Sequence, residues 1–438
     1  MRENYRNLKV AVLGGGTVGS EVAHRLLVNR EELGRRIGAE LDLIGVAVRD
    51  TSKSRRTSIP KKLLTTDARS LVVSADIVVE LMGGIEPARE LILLALESGA
   101  DVITANKALL AAHGPELFDA AAKVGAQLYY EAAVAGAIPI IRPLRDSLAG
   151  DEVHRILGIV NGTTNFILDL MDSTGESMEQ ALSTATELGY AEADPTADIG
   201  GYDAQQKAAL LAQLAFHTAI PLDEVGREGI TEITLEQVNQ AKHAGYVIKL
   251  LAICERISLP EGGFGVSVRV HPTLVPRSHP LAAVHGANNA VFVEAEAAGS
   301  LMFYGAGAGG PETASAVLGD IVSAARRHVV GGPGVGESTH ADLPVVDPGL
   351  VPTRYQISLS VTDQPGVLAT IASIFSEAGV SVETLSQSTP HDAVGESQTA
   401  TLVIQTHQAS EADLSQTAEK LASSPVVHQV AGVVRVEG

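Results

Sequence analysis

Between Gly189 and Lys207 the chain reads GYAEADPTADIGGYDAQQK, which places Glu192, Asp194, Asp198 and Asp203 in one short segment punctuated by proline and glycine. Lys207 follows Asp203 by one helical turn. Carboxylates and an amine are groups that give and take protons, so acid–base chemistry is the first expectation here. A helix beginning near Asp203 and running through AQQKAALLAQLAFH puts Asp203 and Lys207 on one face. That face continues through Leu210 or Leu211 and Leu214, while Gln205, Gln206 and Gln213 take the opposite side. An acid and an ammonium thus occupy the stripe that packs inward. Near a helix start Asp203 is explained equally well by the macrodipole, but a lysine in the second turn gains little from it. The plain alternative for the pair is an intrahelical ion pair, which contributes only a few tenths of a kcal/mol.

The elements that must position this segment begin with residues 8–13, LKVAVL, an apolar run that reads as a buried parallel strand. It enters Gly14-Gly15-Gly16-Thr17-Val18-Gly19, and SEVAHRLLVNREELG follows with helical spacing. This is G-x-G-x-x-G with a strand before it and a helix after it, the setting of a dinucleotide site. Gly14 permits the tight turn, Gly16 lets a pyrophosphate approach the backbone, and Gly19 lets helix and strand pack closely. The N–H groups of Thr17 and Val18 then open the helix toward the phosphates. After the next strand, LDLIGVAVRD, Arg49 and Lys53 suit the 2′-phosphate of NADP, with Arg55 and Arg56 beyond them. Asp50 suits the free 2′-hydroxyl of NAD, and a solvated basic loop is the third reading. Two more βα units follow: ADIVVEL with EPARELILLALESG, and DVITANK with KALLAAHGPELFDAAAKVG. Repeated β–α alternation predicts a doubly wound parallel sheet whose ligands sit beyond the strand carboxyl ends. Asn106 and Lys107 fall there, so Lys107 is a candidate contact for cofactor or substrate, the alternative being a solvated lysine.

Downstream, YYEAAVAGAIPII carries one carboxylate, Glu131, which needs a cation, a buried donor or a metal as partner. The stretch Asn161-Gly162-Thr163-Thr164-Asn165 reads as a small polar loop, serving either a ligand carboxylate or the cap of the helix FILDLMDST. From residue 248 the pattern turns to strands, KLLAICERI, GVSVRVHPTLV, NAVFVEAEA and SLMFYGAGAGG, as an antiparallel sheet. A second glycine cluster, 305–310, precedes the helix ETASAVLGDIVSAARRH, which is expected to return to the first domain. Residues 331–353 read as a linker, and 354–438 give β-α-β-β-α-β, a ferredoxin-like order. The fold class is α/β, with a Rossmann-type domain over 1–140, a central α+β domain over 141–310 that carries the candidate catalytic segment and that the family resemblance given below makes the dimerisation domain too, and the C-terminal ferredoxin-like domain.

A net charge of −20 opposes binding to nucleic acid or anionic membranes. No run of about 18 apolar residues is present, so no membrane span is expected, and the cytoplasm is the expected location. The single cysteine, Cys254, excludes a disulfide within the chain and reads as a buried, inert thiol. His271, His279 and His285 lack zinc-site spacing.

With these pieces placed, the chain resembles homoserine dehydrogenase carrying a C-terminal ACT domain along nearly its whole length. The matching stretches are GGGTVG, ELMGG, TANKALL, EAAVAGAIPII, NGTTNFIL, GYAEADPTADIGGYDAQQK, GAGAGGPETASAV and DQPGVLATIASIFSEAGVSVETL. Ala193 stands where many relatives have proline. The resemblance implies reversible NAD(P)H-dependent reduction of L-aspartate 4-semialdehyde to L-homoserine, on the route to threonine and methionine. It makes Lys207 the general acid/base, with Asp203 beside it. Glu192, Asp203, Asp198, Lys107, Gly162 and Thr163 become substrate contacts. Gly189 and Gly309 join Gly14, Gly16, Thr17, Val18, Gly19, Arg49, Lys53 and Lys107 at the cofactor. Glu131 and the carbonyls of Val134, Gly136 and Ile138 become a sodium site. It further implies a homodimer or homotetramer and feedback by an amino acid, threonine being the expected effector. Two other readings stay open at this level. One is aspartate-semialdehyde dehydrogenase, which needs a nucleophilic cysteine; the other is a non-catalytic sensor of nucleotide and amino acid.

Overall fold

The computed structural model describes residues 6–55, 57, 59–334, 337–388 and 399–437; Arg56 of the basic cluster lies outside them. The chain forms two compact units. The first comprises Met1–Gly162, Gln205–Glu224 and Asn288–Leu343, and the second Thr163–Ala204, Val225–Ala287 and Pro344–Gly438.

In the first unit, β1 (Leu8–Leu13) is buried at every position except Lys9, because it is paired on both edges and covered on both faces. Its neighbours are β2 (Leu41–Ala47) and β4 (Ile77–Glu80), and β3 (Leu64–Thr65), β5 (Asp101–Thr104) and β6 (Leu128–Tyr129) complete a parallel sheet in the order 3-2-1-4-5-6. Helices α1 (Thr17–Val28), α2 (Arg30–Ile37), α3 (Ala68–Val72), α4 (Ala88–Glu97) and α5 (Lys107–Val124) lie between these strands in the chain. The order reverses between β1 and β4, which is where such sheets bind dinucleotides.

Helix α11 (Gly310–Val330) belongs to the same core, where Ala314, Val317, Ile321 and Ala324 pack with Val10, Val12, Ile77 and Val79. At its end Arg327 bonds to Asp101, the first residue of β5, and Arg326 to the Arg36 carbonyl ahead of β2. The helix therefore runs against the strands, and its N-terminus with the 305–310 glycine cluster lies at their carboxyl ends. Strands β7 (Val153–Ile159), β11 (Asn288–Ala295) and β12 (Gly299–Ala306) form an antiparallel group with β11 in the middle.

In the second unit, β9 (Tyr246–Ser258) and β10 (Phe264–Pro276) form a long hairpin, with β8 (Gly226–Arg227) also on β10. The C-terminal module contributes β14 (Tyr355–Thr362), α12 (Val367–Glu377), β15 (Val382–Ser388), β16 (Thr399–Thr406), α13 (Glu411–Ala422) and β18 (Val427–Val436). Their sheet order, β18-β14-β16-β15, is the ferredoxin-like one, and Ile371, Phe375, Leu414 and Leu421 fill the core under it. A short β13 (Pro352–Thr353) and β17 (Ala409–Ser410) pair beside it. Strand β18 also pairs with β10, Thr273 opposite Arg435 and Leu274 opposite Val436, so the module's sheet continues into the hairpin.

The remaining helices are α6 (Gly162–Thr174), α7 (Met178–Glu187), α8 (Thr196–Ile199), α9 (Tyr202–Phe216) and α10 (Leu235–His243). One local expectation needs correcting. Residues 162–165 are not loop but the first turn of α6, and Thr164 and Asn165 are buried. Polar composition suggests exposure, but these side chains find partners inside.

Candidate active site

The glycine turn is built as its spacing requires. Gly14 has φ +101°, donates to the Ala47 carbonyl, and lies so close to Leu81 that a Cβ would sit 2.5 Å from that residue's carbonyl oxygen. A Cβ on Gly19 would collide with the Gly14 carbonyl. At Gly16 a Cβ would meet no protein atom within 4 Å. Gly14 and Gly19 thus answer to the protein's own packing, whereas Gly16 keeps an approach clear for a ligand. No side chain caps α1, so the N–H groups of Thr17 and Val18 point outward from a positive helix end. The donor set fits a pyrophosphate.

Arg49 and Lys53 lie on an exposed arm after β2. The basic group brought to the glycine turn is instead Arg55. Its Nε lies 2.9 Å from where a Gly15 Cβ would be, and its terminal nitrogens bond to the carbonyls of Lys53 and Asp50, each at 2.7 Å. The Asp50 carboxylate accepts from the hydroxyl and N–H of Ser52, which holds its pKa below the ordinary value. Sequence spacing points to Arg49 and Lys53 because they follow the strand directly; only the folded loop brings Arg55 back.

Lys107 is the first residue of α5, half-buried at the carboxyl end of β5. Its placement rests on buried Glu80, which nothing in the ELMGG sequence around it marks out. One Glu80 oxygen accepts from the N–H groups of Met82 and Gly83, and the other from the Thr104 hydroxyl at 2.7 Å. Thr104 in turn receives the Asn106 N–H, while the Asn106 side chain caps α5 through Leu109 and donates to the Gly84 carbonyl at 2.6 Å. One buried carboxylate thereby ties together the turns after β4 and β5.

Glu131 is 1% exposed and has the partners an isolated carboxylate needs. One oxygen accepts from the N–H groups of Ile140 and Ile141 at 2.6 and 2.8 Å; the other accepts from the N–H and Nε of Arg142 at 3.1 and 2.8 Å. Its own N–H donates to Asp320 on α11, and Asp320 lies 3.9 Å from Arg142. Burial, with Glu131 adding to it, pushes the Asp320 carboxyl up to about 7. Asp320 lies on the apolar stripe of α11 beside Val317 and Ile321, a placement that periodicity makes visible. As a cation ligand the Glu131 carboxylate fits poorly, because both oxygens are already taken by donors. The carbonyls of Val134, Gly136 and Ile138 accept none of the backbone bonds found in the described loops and turns. Gly136 has φ +62° and packs directly on Gly307, with the Ala137 N–H on the Ala306 carbonyl. Gly309, the N-cap of α11, has φ +132° and lies under the Glu312 carboxylate.

The inward stripe of α9 is as its periodicity indicates: Asp203, Lys207, Leu210, Leu211 and Leu214 are all buried. The Lys207 ammonium donates to the Val160 carbonyl, two residues ahead of α6, at 2.7 Å. In the second unit Thr163 donates to the Tyr190 carbonyl at 2.8 Å, and the Phe166 ring lies against Tyr190, centroids 4.7 Å apart. These contacts hold the start of α6 to the GYAE turn, where Gly189 has φ +79° and Glu192 is exposed. Asp198 is half-buried in α8. Asp194 instead accepts from the Thr196 N–H, which accounts for it as a turn residue. Cys254 is fully buried, and burial pushes its thiol up, so it offers no nucleophile.

Residues 14–131 match the NAD-binding domain of homoserine dehydrogenase, residues 139–322 the homoserine dehydrogenase family, and residues 355–425 the ACT domain. A homoserine dehydrogenase of Corynebacterium glutamicum is 54% identical over 430 residues, 98% of this chain and 95% of that one. The crystal structure of a homoserine dehydrogenase from Thiobacillus denitrificans superposes with a TM-score of 0.90 at 38% identity, covering 98% of both chains. A hyperthermophilic archaeal homoserine dehydrogenase in complex with NADPH gives 0.61 at 28% identity, over 75% of this chain and 99% of that one. All three parts of the chain, the parallel-sheet domain, the central region and the ferredoxin-like module, are thus matched, and the chain belongs to the homoserine dehydrogenase family.

Proposed function

We propose that, in the NAD(P)-dependent interconversion of L-aspartate 4-semialdehyde and L-homoserine, Lys207 exchanges the proton while Glu192, Asp198 and Asp203 hold the amino end of the substrate. The observation that carries this reading is a buried lysine amine four residues after a buried aspartate on one helix. An ammonium substrate calls for carboxylates, and an oxygen gaining negative charge calls for a nearby N–H donor. The nicotinamide cofactor, when bound, supplies or receives the hydride. Gly14, Gly16, Thr17, Val18 and Gly19 receive its phosphates, Gly189 and Gly309 are further cofactor contacts, and Lys107 serves the substrate and cofactor. Gly162 and Thr163 meet the substrate at the start of α6. NADP rather than NAD is supported by Arg49, Lys53 and Arg55 on the arm after β2.

Lys207→Ala is expected to lower kcat by about 10²–10⁴-fold, the usual range for a lost general acid, while cofactor affinity is kept. Near-normal turnover in that variant would sink the assignment, and running the same assay with NADPH and NADH reads the cofactor preference.

A sodium ion fits the carbonyls of Val134, Gly136 and Ile138 better than the Glu131 carboxylate. Threonine at the ACT domain is the effector reading, supported by the match over 355–425. A homodimer or homotetramer is supported by edge strand β12, which exposes Met302 and Tyr304. Among the described residues no helix is long and apolar enough to cross a membrane, which supports the cytoplasm as location. Thermal unfolding of the full chain should rise with sodium over choline and, separately, with threonine, and its mass in solution should exceed one 45.5 kDa chain. A flat response to either ligand, or a monomer, removes the corresponding reading.

A further inference from the structure

Strand β9 carries a lysine where its neighbours are apolar: Ile248, Leu250 and Leu251 are all buried, and Lys249 itself is 2% exposed. Its ammonium donates to the Asn165 side-chain oxygen at 3.0 Å and to the Val284 carbonyl at 2.7 Å. The Asn165 amide nitrogen donates to the Val284 and Gly286 carbonyls at 3.2 and 2.8 Å. The asparagine amide is therefore fixed at both ends, its oxygen by a cation and its nitrogen by two carbonyls. Asn165 lies in the first turn of α6, directly after Gly162, Thr163 and Thr164.

An apolar side chain of similar length would fill this place in the sheet with no charge to desolvate, so packing does not account for an ammonium here. Its bonds converge on Asn165 and on the 284–286 backbone that Asn165 also grips. We propose that Lys249 is a positioning residue for the amino-acid substrate, pinning Asn165 and with it the α6 turn that presents Gly162 and Thr163. The inference rests on the assignment of that turn to the substrate.

Burial brings the Lys249 ammonium down to about 8, offset in part by Asp169 and Asp172 of α6. Arg277 after β10 pushes it further down, and Asp169 is itself engaged by His285. Thr273, its partner across β10, is uncharged. Loss of the proton weakens both bonds, since a charge-assisted hydrogen bond is about twice as strong as a neutral one. The pin loosens as pH rises past 8, which a purely space-filling lysine would not show.

The test uses the full-length enzyme oxidising L-homoserine between pH 7 and 10. Wild-type turnover comes first; its absence would be a failure of the functional reading and not of this one. Lys249→Met is expected to raise KM for homoserine by about tenfold, the order of one lost charge-assisted bond, with KM for the cofactor and Tm little changed. The wild-type rise in homoserine KM above about pH 8 should be smaller in that variant, where only the substrate's own ammonium still adds to it. Asn165→Asp places a carboxylate beside the ammonium and should move the rise to higher pH. An unchanged homoserine KM, a joint loss of both affinities with Tm, or an alkaline rise as large in Lys249→Met as in wild type each overturns the proposal. If Lys249→Met does not fold, the Asn165→Asp profile decides alone, and an unshifted rise counts against it.

Discussion

The Glu131 carboxylate in the first unit and the Lys249 ammonium in the second are both almost wholly removed from water, and their surroundings differ in kind. Glu131 receives four N–H bonds, one of them from a guanidinium, and passes its own N–H to Asp320. Lys249 has two acceptors, both neutral, and its nearest carboxylates act from the next turns of α6. The first arrangement surrounds the charge with donors on both oxygens. The second leaves a charge that neutral pH keeps and alkaline pH removes. A buried charge thus serves as a rivet or as an adjustable pin, and the number and sign of its partners decide which.

The largest effect expected from breaking this contrast is in Arg142→Leu. It leaves Glu131 and Asp320 facing each other with their closest guanidinium gone. Breaking a buried pair costs about 3–5 kcal/mol, and partial exposure of Arg142 favours the lower end. Chemical unfolding of the variant should show this, and a loss under about 1 kcal/mol would mean that the backbone donors alone hold Glu131. Lys249→Met should behave differently at neutral pH. It removes an ammonium that is costly to bury while leaving Asn165 its two carbonyl acceptors, so stability should change by less than about 1 kcal/mol. A loss as large as that of Arg142→Leu would make the two sites one kind of rivet.

The same contrast marks what the sequence made legible. The glycine turn could be read because each glycine answers to a backbone demand: Gly14 to its turn, Gly19 to close packing and Gly16 to ligand approach. The return of α11, the doubly wound parallel sheet and the β-α-β-β-α-β module follow from periodicity and element order, which are local properties, whereas the strand order 3-2-1-4-5-6 is seen only in the fold. The acid–lysine stripe of α9 was visible for the same reason. Long-range partners were not. Arg142 lies eleven positions from Glu131 and Asp320 much further on, so the need for a partner could be stated but not its identity. The α6 turn read as loop because its polar side chains are satisfied by residues such as Lys249, over eighty positions away. Lys249 itself shows as a charge in an apolar strand, a signal that composition dilutes.

The smallest effect, and the one that separates rivet from pin most finely, is in the pH dependence of stability. An aspartate ordinarily titrates near 3.9, and Asp320 is pushed up to about 7. Between those values the folded chain holds a proton that the unfolded chain has released, so this group lowers stability as pH rises, and its penalty is complete above about 7. Lys249 acts in the opposite sense. Its ammonium titrates near 8 when folded and near 10.4 when unfolded, so across that window the unfolded chain binds the extra proton and stability rises with pH. Asp320→Asn keeps an acceptor for the Glu131 N–H and deletes the titration. Relative to wild type, the variant should gain Tm progressively from pH 5 to 8 and hold that gain above it, while Lys249→Met should leave this interval untouched and flatten only the one from 8 to 10. Parallel Tm curves for wild type and Asp320→Asn would show that Asp320 stays ionised throughout, with Arg142 serving both carboxylates at once.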